Sequence, residues 1–330
     1  MKKNGFTILI VTYNSDWRKL RVTLESVLAQ TFGDYEIVVA DDGSEDNLED
    51  KIREYFKAKN FDRYTLVMNK ENQGTVKNLI SGLEASGGEF VRDFGAGDLF
   101  YNETVLERLY DFMKAGDHEA AAGLIKGFSV TEKGIIARRF SHPFDIEAYR
   151  KGDEDRIIRN MALYGDYFSG AVMCYKTDYY LEYLRKISPY VKYEEDIFQL
   201  LAALEGRRVV LWDEYMVWYE MGYGVSTGGS SAFAELLARD TENFYNHIIE
   251  EHGDNKHIAK RAKLQKYYKY KNVYVRTLMR LFENRGLVSY LCSHALQIAK
   301  GSYGNGKKSR GFLQDKAFVR ESQIKEWRNI

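Results

Sequence analysis

Proline is scarce in this chain. Pro143 and Pro189 are the two it has, which argues against proline-rich linkers. Cysteine is as rare: Cys174 and Cys292 lie far apart in apolar surroundings, and no CxxC pair occurs. A zinc site or redox pair is therefore disfavoured, and both residues read as buried free thiols in a reducing compartment. No apolar run reaches the roughly 18 residues of a membrane span. The run Phe6–Val11, behind Met-Lys-Lys-Asn-Gly, is too short for a signal segment. A cytoplasmic, non-spanning protein is expected. No GxGxxG follows the first apolar run, which disfavours a dinucleotide-dependent dehydrogenase. None of the six histidines has metal-ligand spacing, and His247, His252 and His257 read as exposed helical residues. No internal repeat is visible.

What remains is ample for a globular core. The 330 residues are 45% hydrophobic and 29% charged, enough for one large domain with an appendage or for two domains. Tyrosine occurs 25 times, and its flat ring with a polar tip suits sugars and membrane interfaces. The net charge of zero hides a division. Residues 256–330 hold 18 of the 48 Lys+Arg and 4 of the 48 Asp+Glu, a net of +14, so residues 1–255 carry −14. An acidic body with a basic tail points to anionic lipid or nucleic acid as partner. The alternatives are a solvated helical face and pairing with the acidic body.

The segment Tyr35–Asp46 organises the rest. Its apolar run Ile37–Ala40 suits a strand buried on both faces of a parallel sheet. It ends in Asp41-Asp42-Gly43-Ser44, at the strand's carboxyl end, where open α/β sheets bind ligands. Phe6–Val11 reads as an earlier strand. It stops at Thr12-Tyr13-Asn14-Ser15-Asp16, and a helix follows with Leu20, Leu24, Val27 and Leu28 on one face. A helix over Leu48–Lys57, a strand over Tyr64–Met68 and a helix over Thr75–Ala85, ended by Gly87-Gly88, complete successive βα units. These define a doubly wound, mostly parallel sheet. Further strands are expected at Phe90–Phe94, Ala120–Val130, Ile135–Phe140, Phe168–Tyr175, Arg208–Asp213 and Tyr215–Tyr219. Further helices are expected at Thr104–Lys114, Asp178–Arg185 and Ile197–Leu204. Residues 141–166 read as a polar segment, a mobile lid or an acceptor-side element, and Gly222–Gly229 as a flexible loop. From Ala232 the pattern is helical. Val275, Leu278, Met279 and Phe282 form a stripe beside Lys271, Arg276 and Arg280, and the pattern resumes through Leu291, Leu296 and Ile298. This basic amphipathic pair either lies in a membrane interface or packs on the main domain. The expected division is 1–230 and 231–330.

Ile8-Leu-Ile-Val-Thr-Tyr-Asn14, Ala40-Asp-Asp-Gly-Ser-Glu-Asp46 and Asn72-Gln-Gly-Thr-Val-Lys-Asn78 stand in an order and spacing that resembles the opening of family 2 glycosyltransferases. The resemblance covers roughly residues 5–230. It implies an α/β nucleotide-sandwich domain of the GT-A fold, here with a C-terminal helical extension. It also implies inverting transfer of a sugar from a nucleoside diphosphate donor, as a hexosyltransferase of surface-polysaccharide type.

The resemblance assigns the donor pocket to Thr12, Tyr13, Asp41, Asp42, Lys77 and Asp98. Tyr13 can cover a uracil-type base, and Asp42 stands where the family reads the base's ring N–H. Asp41 supports the turn. Lys77 replaces the family's usual arginine and can still contact base or diphosphate as a point charge. The family's metal motif, Asp-x-Asp followed by a further acid, falls on Gly95-Ala96-Gly97-Asp98, which leaves Asp98 as the ligand for Mg²⁺ or Mn²⁺. Otherwise Asp98 caps a turn, and Asp93 is expected to lie side-on. The family's base falls on Glu195-Asp196 after Ser169-Gly170, with Asp196 as base and Glu195 in support. Carboxylates at a helix start also need no functional cause. On the loop after Tyr219, Tyr223, Ser226 and Thr227 can bond phosphate. The expected donor is a UDP-sugar, and the expected acceptor is lipid-linked or an oligosaccharide, with peripheral membrane contact through the basic region. A nucleotide-sugar-binding protein without turnover is the alternative. Nucleic-acid binding is disfavoured because the tail's aromatics follow helical spacing rather than a stacking platform.

Overall fold

The computed structural model describes residues 4–138, 142–221, 231–268, 274–275, 278–279, 281, 284, 286–299 and 310–329. The first half runs β1 (Asn4–Thr12), α1 (Trp17–Leu28), β2 (Tyr35–Asp41), α2 (Glu49–Ala58), β3 (Tyr64–Met68), α3 (Thr75–Glu84) and β4 (Gly88–Gly95). Next come β5 (Leu99–Phe100), α4 (Val105–Ala115), β6 (Ala120–Thr131) and β7 (Gly134–Arg138). Then follow α5 (Ile146–Arg150), α6 (Glu154–Tyr164), β8 (Met173–Lys176), α7 (Thr177–Ile187), α8 (Phe198–Leu204) and β9 (Val210–Glu220). The C-terminal part holds α9 (Ser231–His252), α10 (Lys256–Tyr268), α11 (Gly286–Ala299) and α12 (Lys316–Glu321).

The described strands form one sheet in the order β3-β2-β1-β4-β8-β6-β9-β5, with β7 beside β6. β1, β2, β3 and β4 pair in parallel, and β6 pairs in parallel with β9. β8 runs antiparallel between β4 and β6, which restores the common direction for β6 and β9. The sheet is therefore mostly parallel. Its central strands are apolar on both faces: Ile8, Leu9, Ile10 and Ile37 to Ala40 are fully buried. Removing both faces from water is what a continuous apolar strand requires. The register sets Thr12 beside Asp41 and Val11 beside Gly95, so the carboxyl ends of β1, β2 and β4 meet at one edge. α1 starts there, capped by Asp16, whose carboxylate accepts the Arg18 amide at 2.8 Å.

Several sequence expectations need correction. Gly87-Gly88 does not cap α3, which ends at Ala85; Gly88 opens β4 against β1 instead. Phe168–Tyr175 is not one strand, because a 3₁₀ turn occupies Gly170–Val172 and the strand begins at Met173. Arg208–Asp213 and Tyr215–Tyr219 are a single strand, kept on β6 by register shifts. Residues 142–166 carry two packed helices rather than an open lid. Asp145 takes Arg156 in two bonds of 2.6 Å and Asn160 at 2.8 Å. Its charges are taken up by ion pairs within the segment and with Asp213, Arg208 and Lys256, so a polar composition hid the helices. His257 is buried against Asp155 at 3.0 Å, and Cys292 is exposed rather than buried.

The C-terminal helices pack on the body. Phe244, Tyr245 and Ile248 of α9 are buried, and the Tyr245 hydroxyl donates to the Met161 carbonyl at 3.0 Å. Further along, the Phe312 amide donates to Tyr101 at 2.7 Å, and Arg21 reaches the Ser322 carbonyl at 2.9 Å. Val275, Leu278, Met279, Val288, Leu291 and Leu296 are exposed. Lys271, Arg276, Arg280 and Phe282 of the same stripe lie outside the described residues, as does the loop with Tyr223, Ser226 and Thr227.

Candidate active site

A cavity of about 630 Å³ opens at the shared edge of β1, β2, β4 and β9. That is the crevice outside the carboxyl ends of the strands, where open α/β sheets bind ligands, and its volume suits a small ligand. One wall carries Thr12 and Tyr13, with Tyr13 47% exposed and its ring available to a flat partner. Asp42 is buried at the floor. Its two oxygens accept the amides of Gln73 at 2.8 Å and Gly74 at 2.9 Å. A carboxylate has about four lone-pair sites, so Asp42 fixes this turn and still accepts from a ligand. Burial raises its pKa above the ordinary carboxylate value.

Asp41 does not line the cavity. It accepts the Thr12 hydroxyl at 2.8 Å, the Ser44 hydroxyl at 2.6 Å and the Ser44 amide at 2.8 Å, which locks the turn after β2. Lys77 is also absent from the lining: it is exposed, while Thr75 and Asn78 of the same turn face the cavity. Residues two apart on a helix are rotated by about 200°, so Thr75 and Lys77 cannot share a face. The place assigned to Lys77 thus goes to neutral side chains.

The opposite wall is acidic. Asp196 accepts the Gly170 amide on Oδ2 at 2.7 Å, and its Oδ1 is buried with no hydrogen-bond partner. Glu195 lines the cavity beside it, and Glu194 accepts the Tyr167 hydroxyl at 2.9 Å. Burial, reinforced by the neighbouring carboxylates, holds Asp196 and Glu195 well above the ordinary range. The segment is anchored from α9. Asp240, itself buried, accepts the amides of Lys192, Tyr193 and Glu194 on one oxygen at 2.9, 2.5 and 3.2 Å. Phe233 and Leu237 of α9 close the same wall.

Four residues that line or brace the cavity escaped the sequence reading. Asp93 is no side-on bystander: it lines the cavity, its buried Oδ1 takes no hydrogen bond and faces the Arg92 guanidinium at 3.8 Å, and burial, opposed by that charge, pushes its carboxyl up to about 6. Lys19 and Glu220 form a buried ion pair at 2.6 Å that also lines the cavity. Asp240 is the fourth. Lys19 stands in the first turn of an amphipathic helix and Glu220 at the end of a strand, and nothing local links positions 201 residues apart.

The loop Gly95–Asp98 brings one carboxylate, Asp98, to the cavity, with glycines at positions 95 and 97. Asp98 lines the cavity and accepts the Glu220 amide at 3.3 Å, and withdrawal from water pushes its carboxyl up to about 7. Gly97 holds φ +112°, and a Cβ built there would lie 3.1 Å from Glu220 Oε2 and 3.7 Å from Lys19 Cδ. A side chain there would be strained by that φ and would crowd the Glu220 carboxylate of the ion pair. Among the described residues no group of three or more His, Cys, Asp or Glu stands together as ligands for an ion. The residues present do not fit a protein-held divalent cation, and no step below runs through one.

Fold and cavity together define an α/β protein with a polar ligand site at the carboxyl edge of its sheet. The chain matches the family model Glycosyl transferase family 2 over residues 7–173, half its length, and it belongs to that family. It is similar to the poly(ribitol-phosphate) beta-N-acetylglucosaminyltransferase TarP of Staphylococcus aureus, 34% identical over 150 residues, covering 42% of this chain and 43% of that protein. The chain spans less than half the length of the curated relatives it matches. Among solved structures it resembles S. aureus TarS 1–349 in complex with UDP (TM-score 0.52, 18% identity, 98% of this chain and 89% of that one). It also resembles the mannosyltransferase PcManGT of Pyrobaculum calidifontis in complex with GDP-Man and Mn²⁺ (TM-score 0.51, 15% identity, 90% and 87%). These two likenesses establish the GT-A fold.

Proposed function

We propose that the chain transfers a sugar with inversion from a nucleoside diphosphate donor, preferentially a UDP-sugar, to a hydroxyl of a lipid-linked or polysaccharide acceptor. The observation that carries this reading is Asp196: an acidic side chain fixed by the Gly170 amide, with its second oxygen unpartnered at a cavity of about 630 Å³. Tyr13 and Asp42 supply flat cover and an acceptor for the base. At the acidic wall, Asp196 takes the proton of the acceptor hydroxyl as that oxygen bonds to the anomeric carbon. The bond from this carbon to the diphosphate breaks, and the nucleoside diphosphate leaves with the electron pair. A carboxylate whose pKa is raised is the stronger base once ionised. Glu195 supports the acceptor side.

Residues 231–330 are assigned as a helical extension that completes this wall and meets the membrane surface. Exposed Val288, Leu291 and Leu296 within residues 256–330, of net charge +14, support peripheral contact with anionic lipid. No helix among the described residues is long and apolar enough to cross a membrane.

The test is UDP-sugar hydrolysis and UDP binding in wild type and Asp196→Asn. Transfer by general base predicts that turnover falls by about 10²-fold or more while UDP affinity stays within about threefold. Near-normal turnover of the variant would refute the assignment. Binding without turnover in the wild type would favour a nucleotide-sugar-binding protein, a reading supported by the glycines at positions 95 and 97.

A further inference from the structure

The donor reading raises an electrostatic difficulty. A diphosphate leaving group gathers negative charge, yet the cavity is lined by Asp42, Asp93, Asp98, Glu195, Asp196 and Glu220. The loop that should hold a compensating metal offers two glycines. Among the described residues that line it, one side chain is cationic, and it stands at that loop. Lys19 is 3% exposed, and its ammonium is fixed by Glu220 at 2.6 Å. Glu220 is in turn tied to the loop, since its amide donates to Asp98 at 3.3 Å. The Gly97 amide donates to Thr23 at 2.9 Å, one turn along α1 from Lys19, which holds loop and lysine together.

The geometry at Gly97 makes this an exchange rather than a simple loss. A side chain there would meet the Lys19–Glu220 pair within 3.1–3.7 Å. An acidic residue at position 97 would have to adopt the strained φ of +112° and push the Glu220 carboxylate aside by a few tenths of an ångström. A divalent ion arriving with the donor would have Asp98 as its ligand from the loop and would lie next to an ammonium that repels it. An ammonium donates in three directions, and its bond to Glu220 fixes where it stands at the cavity.

Resting on the donor reading above, we propose that Lys19 is the resident cation of the donor site. Its ammonium hydrogen-bonds the diphosphate of the bound nucleotide and stabilises the leaving group, so donor binding needs no divalent ion.

The experiment titrates UDP and uridine by calorimetry, in EDTA and in MnCl₂. The proteins are wild type, Lys19→Met and Lys19→Met/Glu220→Gln; the double variant removes both charges so that no buried carboxylate is left unpaired. Thermal melts confirm folding. Wild type should bind UDP equally, within about threefold, in EDTA and in Mn²⁺. Both variants should lose about tenfold or more for UDP, the size of one charge-assisted hydrogen bond, while uridine changes little. The inference is overturned if wild-type UDP affinity rises tenfold or more with Mn²⁺, or if the double variant binds UDP as wild type does. If uridine binds and only the lysine arm fails, the donor reading stands alone. If neither UDP nor uridine binds, the donor reading falls and takes this inference with it.

Discussion

Asp240 offers the sharpest perturbation of the site, because it acts from outside the sequence that defines the family. It lies on α9, and one of its oxygens takes three consecutive amides, Lys192 at 2.9 Å, Tyr193 at 2.5 Å and Glu194 at 3.2 Å. These amides lead directly into Glu195 and Asp196. Asp240→Ala removes the acceptor for all three. A hydrogen bond to a charged group contributes about 1.5–3 kcal/mol, but three donors share one oxygen here and the half-exposed loop regains some water. We therefore take about 1 kcal/mol each, or about 3 kcal/mol of stability, for the alanine variant. Asp240→Asn keeps an oxygen in the same place and loses only the charge, which should cost about 1 kcal/mol. Urea unfolding with unchanged m-value measures both. Hydrolysis of the donor gives the second readout: kcat should fall about tenfold or more for alanine, more than KM changes, since the proposed base lies on this loop. Equal effects of the two variants, or an alanine variant within about 0.5 kcal/mol of wild type, would refute the anchoring argument.

Two further outcomes are expected. Asp98 titrates near 7 and Asp93 near 6 in the folded chain, against about 3.9 when unfolded. The folded state then binds more protons, so stability should fall as pH rises from about 4 to about 7, and Asp98→Asn should flatten the urea midpoint measured across that range; an unchanged slope would refute the shift. For the membrane surface, Leu291→Asp/Leu296→Asp should abolish co-sedimentation with phosphatidylserine vesicles at low salt without altering UDP binding, whereas salt-sensitive RNA binding with no vesicle binding would point to nucleic acid instead.

The parts of the fold that sequence revealed are those whose causes are local. β1 and β2 are apolar on both faces, and α1 to α4 each bury one stripe, so periodicity alone located them. Tyr13, Asp42, Asp98 and Asp196 were found because each ends a strand or starts a helix in a recognisable order, and the structure brings all four to one cavity. Lys77 shows the limit of that logic: a motif position does not say which way a helix turns its second residue. α5 and α6 were missed because their charged residues pair with Asp145 and Asp213 rather than with water. Lys19, Glu220, Asp93 and Asp240 were missed for a different reason. Each reaches the cavity or its wall only through the fold: the register of β4 and β9 and the packing of α9 place them there.

The carboxyls around the cavity also give the site a proton inventory. Asp93, Asp98, Glu195 and Asp196 are all held above their ordinary ionisation range by burial, so each gives up its proton at higher pH than a solvated carboxyl would. Any ligand that brings its own charges changes how many of these protons stay bound. Ligand uptake and proton exchange are then a single thermodynamic event, and an affinity measured at one pH describes a differently charged site from an affinity measured at another.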